Sequence, residues 1–302
     1  MGYAEQLFDL ADRVVLITGG SRGLGREMAF GAARCGADVV IASRNLDNCV
    51  ATAQQIEHET GRRAMAYQVH VGRWDQLDGL VEASYDRFGK IDTLINNAGM
   101  SPLYDKLTDV TEKLFDAVVN LNLKGPFRLS ALVGERMVAA GRGSIINVST
   151  AGSLRPTPDI VPYAASKAGL NAMTEALAKA FGPAVRVNTL MAGPFLTDVS
   201  KAWNLEAAQE NPFRHLALQR AGDPVKSSAP HCFWPPMRPA SPPARSCGPT
   251  VESPDPDEER LRCPGTFLPS RSSRRSWSGS AGSSATRWNR SRCSFPAVNS
   301  CR

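Results

Sequence analysis

The chain has 302 residues, of which 42% are apolar and 21% charged, and its formal net charge is +6. This length and apolar content allow one large α/β domain or two smaller ones with a buried core. Residues 227–302 hold 11 Arg against five Asp and Glu, so residues 1–226 are neutral overall, which argues against nucleic acid or an anionic membrane as a partner.

Metal and membrane functions are also disfavoured by the sequence. The four histidines are isolated from one another and the cysteines show no metal-ligand spacing, so we expect no metal. The first apolar run, "VVLIT", is far too short to cross a membrane or to direct secretion. We therefore expect a cytoplasmic protein.

Short β-branched runs alternate with helical patterns from Arg13 to Leu190. Strands are predicted at 13–18, 37–43, 63–69, 91–99 including a turn, 143–149 and 184–190, and helices at 26–36, 46–60, 74–89, within 111–140 and at 162–181. Such alternation forms right-handed βαβ units, so the predicted fold class is α/β: a Rossmann-like doubly wound parallel sheet with helices on both faces. A further amphipathic helix is predicted at 197–210, and no periodic segment follows it.

The first predicted strand runs directly into a glycine-rich turn, "TGGSRGLG". Glycines at positions 19, 23 and 25 let the backbone turn tightly and approach a pyrophosphate, which the following helix N-terminus attracts. The alternative is a plain tight turn without a ligand. Because the turn lies between a strand and a helix, dinucleotide binding is the favoured interpretation.

Further motifs follow at characteristic intervals: "NNAG" at 96–99, Asn122 in "NLNLKGPF", "NVST" at 147–150, "YAASK" at 163–167 and "GPFLT" at 193–197. In combination they resemble the short-chain dehydrogenase/reductase family over residues ~10–225. The resemblance implies binding of a nicotinamide dinucleotide. The cofactor-binding residues that it implies are Gly19, Ser21, Arg22, Gly23, Leu24, Gly25, Ser43, Arg44, His70, Val71, Asn97, Ala98, Gly99, Tyr163, Lys167, Gly193 and Thr197.

The choice between NAD and NADP depends on charge after the second strand. An acid there would accept the ribose hydroxyls of NAD, but this chain has Ser43 and Arg44, with Arg22 in the glycine turn. Two guanidiniums can flank a 2′-phosphate, so we predict NADP(H), with two solvated surface arginines as the alternative. His70 and Val71 stand where the family often has Asp-Val contacting adenine, which apolar walls can still hold.

Tyr163 and Lys167 are four residues apart on a predicted helix and therefore share one face. A neighbouring ammonium and the positive nicotinamide ring favour the phenolate, so we expect a lowered pKa for Tyr163 and a role in proton transfer. The resemblance assigns substrate orientation to Thr150, where the family usually has Ser. It also assigns to Asn122 a water in a proton relay, the alternative being an ordinary buried amide that satisfies backbone groups.

The expected reaction is hydride transfer between NADP(H) and an alcohol or carbonyl substrate. In the resemblance, Gly193 and Thr197 belong to the segment that covers the nicotinamide. Apolar residues follow in that segment, which suggests a substrate with a hydrophobic body or simple packing: Phe195, Trp203, Leu205 and Phe213. A dinucleotide-binding protein without turnover, either a sensor or an inactive product, is the alternative function.

Residues 227–302 contain 12 of the 21 prolines and no Lys, Ile or Tyr. We predict two parts, a dinucleotide-binding domain at 1–226 and a Pro/Ser/Arg-rich tail at 227–302. Our hypothesis is that the tail is a frameshift product that replaces the family's last strand, since another frame permits a family-like ending. A natural disordered tail is the alternative, and sequencing the coding DNA decides between them. With an intact C-terminus we would expect a family-like homo-oligomer.

Overall fold

The computed structural model describes residues 8–197 and 218–228. Its centre is a six-stranded sheet in the order β3-β2-β1-β4-β5-β6, in which every neighbouring pair is parallel. The strands are β1 Val14–Thr18, β2 Asp38–Ser43, β3 Ala64–Gln68, β4 Thr93–Asn96, β5 Gly143–Thr150 and β6 Val185–Ala192. The predicted Rossmann-like α/β fold is thus confirmed, with the strand bounds shifted by a few residues.

Helices connect the strands. They are α1 Gly23–Arg34, α2 Leu46–Thr60, α3 Leu77–Phe88, α4 Glu112–Val119, α5 Gly125–Ala139 and α6 Val161–Phe181. The long helix predicted within 111–140 is interrupted between α4 and α5 by a π-helical segment, Asn120–Lys124. Pro126 explains this interruption in part, because proline has no N–H for the regular helical hydrogen bond.

Apolar side chains fill both faces of the sheet. Along β1, Val14 and Leu16 belong to one buried cluster and Val15 and Ile17 to the other, because successive strand residues point to opposite faces. All five residues of β1 are buried. Strands that are covered on both faces have continuous apolar runs in the sequence, which explains why these strands could be predicted.

The order of the strands creates a crevice at one edge of the sheet. β1 pairs with β2 on one side and with β4 on the other, because the chain runs outward from β1 to β3 and then crosses back to place β4 next to β1. In open parallel sheets, ligands bind outside the carboxyl ends of the strands at such a point. The glycine turn after Thr18 and the "NNAG" motif after Ile95 both lie at this edge.

In the described part of the chain, β6 is the last strand. Residues 218–228 return to the segment that follows it: Leu196 donates its N–H to the Gly222 carbonyl at 3.0 Å, and Gly222 donates to the Pro194 carbonyl at 2.8 Å. The rest of the predicted helix at 197–210 and nearly all of the tail lie outside the described residues. The boundary between the predicted domain and tail therefore stays a prediction.

Candidate active site

The glycine turn is the whole connection between β1 and α1, since β1 ends at Thr18 and α1 begins at Gly23. Gly19 has φ +66°, a left-handed conformation that side-chain-bearing residues rarely adopt. A Cβ added to Gly25 would lie 2.4 Å from Asn97 Nδ2 and 2.4 Å from the Gly19 carbonyl oxygen. The sequence therefore needs glycine at both positions so that the turn can close against the "NNAG" segment.

Asn97 and Thr18 hold this turn in place. The Asn97 amide group donates to the Thr18 and Gly19 carbonyls at 2.9 and 3.3 Å. The Thr18 hydroxyl accepts the backbone N–H groups of Asn97 and Ala98 at 3.0 and 3.1 Å. The role of Thr18 was not predicted, although a hydroxyl residue directly before the first glycine was visible in the sequence.

The other motif asparagines support the sheet. Asn96 and Asn147 are opposite each other in the register of β4 and β5, and Asn96 Nδ2 donates to Asn147 Oδ1 at 2.9 Å. Asn147 Nδ2 donates in turn to Thr174 Oγ1 on α6 at 2.9 Å. These buried amides fix β4, β5 and α6 relative to one another.

Arg22 and Arg44 lie at one side of the crevice. Each follows a serine, and the two serines are joined by a hydrogen bond of 2.8 Å between Ser21 Oγ and Ser43 Oγ. Both arginines are exposed, and Arg22 is the residue that precedes α1. The structure thus brings together the two guanidinium-bearing positions that the sequence suggested for a 2′-phosphate.

A cavity of about 620 Å³ lies beside Arg44 and is also lined by Gln68, Val69, His70 and Arg73. The His70 Nδ1 accepts the Gly72 N–H at 3.1 Å. Burial, with Arg44 adding to its effect, lowers the pKa of His70 below its ordinary value. Val71, the next residue, is buried, and its role in an apolar wall for adenine stays a prediction.

Lys167 lies deep in the crevice on α6, with only 3% of its surface exposed. Its Nζ donates to the Val148 carbonyl at 2.7 Å and lies 6.0 Å from the centre of the Tyr163 ring. Burial lowers the pKa of Lys167 to about 8. No ion pair among the described residues includes Lys167, so no carboxylate there offsets the burial of its charge.

Tyr163 lies in the first turn of α6 next to Thr150, the last residue of β5. Burial raises the pKa of Tyr163, and a hydrogen bond with the Thr150 side chain lowers it in part. This differs from the sequence-based expectation, in which Lys167 lowers the pKa. Spacing correctly placed the two side chains on one helix face, but it did not reveal how far the phenol is buried.

Thr150 is held by the turn that follows it. Its Oγ1 accepts the Gly152 N–H at 3.3 Å, while Ser153 Oγ donates to the Thr150 carbonyl at 2.6 Å. Asn171, one turn beyond Lys167 on α6, donates to Ser153 Oγ at 2.9 Å. Asn171 and Ser153 thereby support the position of Thr150, and the sequence reasoning did not identify Asn171.

Asn122 lies in the π-helical segment and is fully buried. Its side chain pairs with the Met100 backbone, accepting the N–H at 3.1 Å and donating to the carbonyl at 2.9 Å. The Asn122 amide thus satisfies backbone groups, which was the alternative interpretation of this residue. A Cβ on Gly99 would lie 2.7 Å from Asn122 Oδ1 and 3.6 Å from Lys167 Nζ, so all three residues meet at one point.

Tyr104 was missed by the sequence reasoning. It lies in the long connection between β4 and α4, and its hydroxyl accepts the Val161 N–H at 2.8 Å. The same hydroxyl donates to the Pro158 carbonyl at 2.8 Å. No local pattern signals these contacts, which join residues more than 50 positions apart.

The segment after β6 faces the glycine turn. A Cβ on Gly23 would lie 3.5 Å from Thr197 Cγ2, whereas one on Gly193 would meet no atom within 4 Å. Phe195 packs on Gly222. Three apolar residues predicted for the cover of the substrate lie outside the described residues: Trp203, Leu205 and Phe213.

The described part of the chain shows neither a metal-ligand cluster nor a membrane-spanning helix. No group of three or more His, Cys, Asp or Glu there is arranged to hold a metal ion. The helices of that part are also too short or too polar to span a bilayer.

Comparison with known proteins gives consistent results. A family model described as short chain dehydrogenase matches residues 13–208. The chain is 34% identical over 220 residues to dehydrogenase/reductase SDR family member 4 of Pongo abelii, covering 71% of this chain and 78% of that protein. A 3-oxoacyl (acyl-carrier-protein) reductase from Agrobacterium tumefaciens C58 with NADP bound is similar in structure, with a TM-score of 0.71 and 26% identity over 77% of this chain and 90% of that chain. A 3-ketoacyl-(acyl-carrier-protein) reductase from Brucella melitensis complexed with NADH gives a TM-score of 0.69 and 28% identity, covering 76% of this chain and 93% of that chain.

Proposed function

The chain belongs to the short-chain dehydrogenase/reductase family of oxidoreductases, and we propose that it transfers a hydride between NADP(H) and an alcohol or ketone. The observation that carries this proposal is the meeting of Tyr163, Thr150 and Lys167 beside the glycine turn. Gly99 connects the two parts, since it lies next to Lys167 and follows Ala98, which packs on Gly19. A proton-transfer group and a dinucleotide turn in one crevice are what the reaction requires.

The residues present fit a nicotinamide dinucleotide. The Lys167 ammonium has three N–H groups and uses one on Val148, so two donors remain for ribose hydroxyls. The backbone N–H groups that open α1 suit the pyrophosphate. The close approach of Gly23 and Thr197 supports a narrow cleft in which Thr197 contacts the cofactor.

A bound nicotinamide supplies or accepts the hydride, and the side chains manage the proton. Because burial keeps Tyr163 protonated at neutral pH, its phenol is ready to donate a proton to a carbonyl oxygen. Thr150 contacts the same oxygen and orients it. In the reverse direction Tyr163 must first lose its proton, so we expect alcohol oxidation to accelerate as the pH rises.

Lys167 and Asn122 assist the proton transfer by Tyr163. The buried ammonium of Lys167 stabilises negative charge that develops on the phenol, and its pKa of about 8 lets it exchange a proton near neutral pH. The Asn122 side chain is committed to Met100, so we assign the relay to its main-chain carbonyl. Pro126, four residues later, has no N–H to donate to that carbonyl.

We assign the preference for NADP(H) to Arg22 and Arg44. β2 ends at Ser43 and is followed directly by Arg44 and Asn45, so no acid stands at the end of this strand. Two guanidiniums beside the crevice favour a 2′-phosphate, and an acid that would accept the ribose hydroxyls of NAD is missing from this position. The similar reductase with NADP bound is compatible with this preference, while the one complexed with NADH shows that the fold accepts either cofactor.

The substrate class follows from the residues around Tyr163. Leu154 and Val161, which flank the turn before α6, are exposed, and so is Leu103, next to Tyr104. Exposed apolar side chains grouped near a proton donor suit a carbonyl compound with a hydrophobic body. We therefore propose a small molecule of this kind as the substrate.

Titration of the full chain with NADPH and NADH, followed by cofactor fluorescence, tests the cofactor assignment. We expect tighter NADPH binding, and replacing Arg22 and Arg44 by Ala should remove the preference. Arg34→Ala, at the opposite end of α1 in an ion pair with Glu59, is the matched control. Equal affinities for both cofactors would contradict the assignment.

Turnover is tested separately with a panel of apolar ketones. Tyr163→Phe should abolish reduction while largely preserving NADPH binding, because Phe keeps the ring and the glycine turn and Lys167 still hold the dinucleotide. Binding of NADPH without turnover of any ketone by the unmodified chain would favour the alternative, a dinucleotide-binding protein without catalysis.

A further inference from the structure

Helix α6 carries Tyr163 and Lys167, yet its first turn has no local cap. Ile160, which precedes the helix, offers no side-chain acceptor, and Pro162 has no N–H. The first N–H groups of a helix lack partners within the helix and are usually satisfied by a nearby Ser, Thr, Asp or Asn. The N-terminus of α6 therefore needs a partner from elsewhere in the chain.

Tyr104 provides that partner from 57 residues away. Its phenolic oxygen accepts the N–H of Val161, the first residue of α6, at 2.8 Å. Its hydrogen is donated to the Pro158 carbonyl at 2.8 Å, so the hydroxyl is used both as acceptor and as donor. One side chain thus connects the segment after β4 to the turn just before the catalytic tyrosine.

We propose that Tyr104 is a positioning residue that caps α6 and sets the distance between Tyr163 and Thr150. This proposal rests on the proposed function, in which Tyr163 moves the proton. Residues 151–160 connect Thr150 to α6, and Tyr104 is attached to the end of this connection. Loss of the hydroxyl frees the first turn of α6 and weakens the hydrogen bond between Thr150 and Tyr163.

Two groups in the described part of the chain face the Tyr163 phenol, and only one of them should be affected when the Tyr104 hydroxyl is removed. Thr150 from β5 donates the hydrogen bond that favours the phenolate, and Lys167 from α6 lies 6.0 Å from the ring centre. Removing Tyr104's hydroxyl leaves Lys167 and its bond to Val148 in place. We therefore expect proton transfer to suffer and dinucleotide binding to persist.

The test is Tyr104→Phe, which keeps the ring and deletes only the hydroxyl. In this variant kcat for ketone reduction should fall by roughly tenfold or more, since misplacement by a fraction of an ångström costs that much, while the Kd of NADPH stays the same. The pH at which alcohol oxidation reaches half its maximal rate should rise by roughly 0.5–1 unit, the equivalent of one hydrogen bond. Tyr85→Phe is the matched control, because Tyr85 lies on α3, away from the site, and its hydroxyl is hydrogen-bonded to the Ile91 backbone.

A second readout does not depend on turnover. The chain has only five tyrosines, so tyrosine labelled with ¹³C at Cζ gives few signals. At neutral pH the Tyr163 signal should move in Tyr104→Phe and stay in place in Tyr85→Phe. An unchanged Tyr163 signal and an unchanged kcat in folded Tyr104→Phe would overturn the proposal.

The role of Tyr104 can still be decided if the unmodified chain shows no turnover or if Tyr104→Phe does not fold. If the unmodified chain reduces no ketone, the proposed function fails, and the NMR comparison still decides the role of Tyr104. If Tyr104→Phe does not fold, hydrogen exchange on the unmodified chain decides it: the Val161 N–H should be protected although it opens a helix. A freely exchanging Val161 amide would contradict the cap.

Discussion

Replacing Lys167 by Met should make the protein more stable and remove its activity. The lysine is 3% exposed, and burial lowers its pKa from 10.5 to about 8. That difference corresponds to about 3 kcal/mol by which folding disfavours the charged form. Methionine has a similar shape without the charge, but it leaves the Val148 carbonyl without its donor, at a cost of about 1 kcal/mol. The net expectation at about pH 7 is a gain of about 2 kcal/mol in the free energy of unfolding.

The pH dependence gives the sharper test. Below about pH 8 the lysine is protonated in both the folded and the unfolded chain, so its contribution does not vary. Above that pH the folded protein releases the proton while the unfolded chain still holds it, and stability rises until the unfolded pKa is passed. Between about pH 7 and 9.5 the unmodified protein should therefore gain about 2 kcal/mol relative to Lys167→Met.

The assay is urea unfolding at three pH values in this range, with Lys179→Met as the control. Lys179 lies on the same helix but is exposed, so its replacement should leave the pH dependence unchanged. The reasoning is refuted if Lys167→Met is the less stable protein at neutral pH and the difference from the unmodified chain is constant with pH. A confirmed gain would show that this lysine is kept for function at the expense of stability.

Two further substitutions test the cofactor turn and the proton-transfer group. Gly25→Ala places a methyl group 2.4 Å from the Gly19 carbonyl oxygen. We therefore expect a lower melting temperature in thermal unfolding and at least tenfold weaker NADPH binding in fluorescence titration. Normal binding would show that the turn can widen. Thr150→Ala should lower kcat for ketone reduction by roughly 100-fold with NADPH binding unchanged. Thr150→Ser keeps the hydroxyl and should retain most of the rate. Equal rates in the two variants would exclude a role for the hydroxyl.

The fold was predictable because its buried strands read as continuous apolar runs and its helices show the apolar spacing of an amphipathic helix. β1 and β2 are short apolar runs buried on both faces, and each is followed by a turn and a helical pattern. The interruption between α4 and α5 was not predicted, since the apolar spacing there reads as one helix. A π-helical segment changes the backbone hydrogen bonds while it leaves that spacing almost unchanged.

The site was predictable where its residues are close in sequence. The four-residue spacing of Tyr163 and Lys167 and the glycine turn both depend on local geometry. The partners that come from distant parts of the chain were not predictable: Tyr104 reaches α6 from the segment after β4, and Thr18 at the end of β1 holds Asn97 after the neighbouring strand β4. The direction of the Tyr163 pKa was also wrong in the sequence-based expectation, because burial depends on packing that spacing does not encode.

The hydrogen bonds of Asn97 have a thermodynamic consequence for ligand binding. Because Thr18 and Asn97 close the glycine turn through protein groups alone, the conformational entropy of that turn is lost when the chain folds and not when a dinucleotide arrives. Association then carries a smaller ordering penalty, and more of the contact energy appears as affinity. A substitution such as Asn97→Ala would return that entropy to the binding step, so its effect on affinity should be mainly entropic in calorimetry.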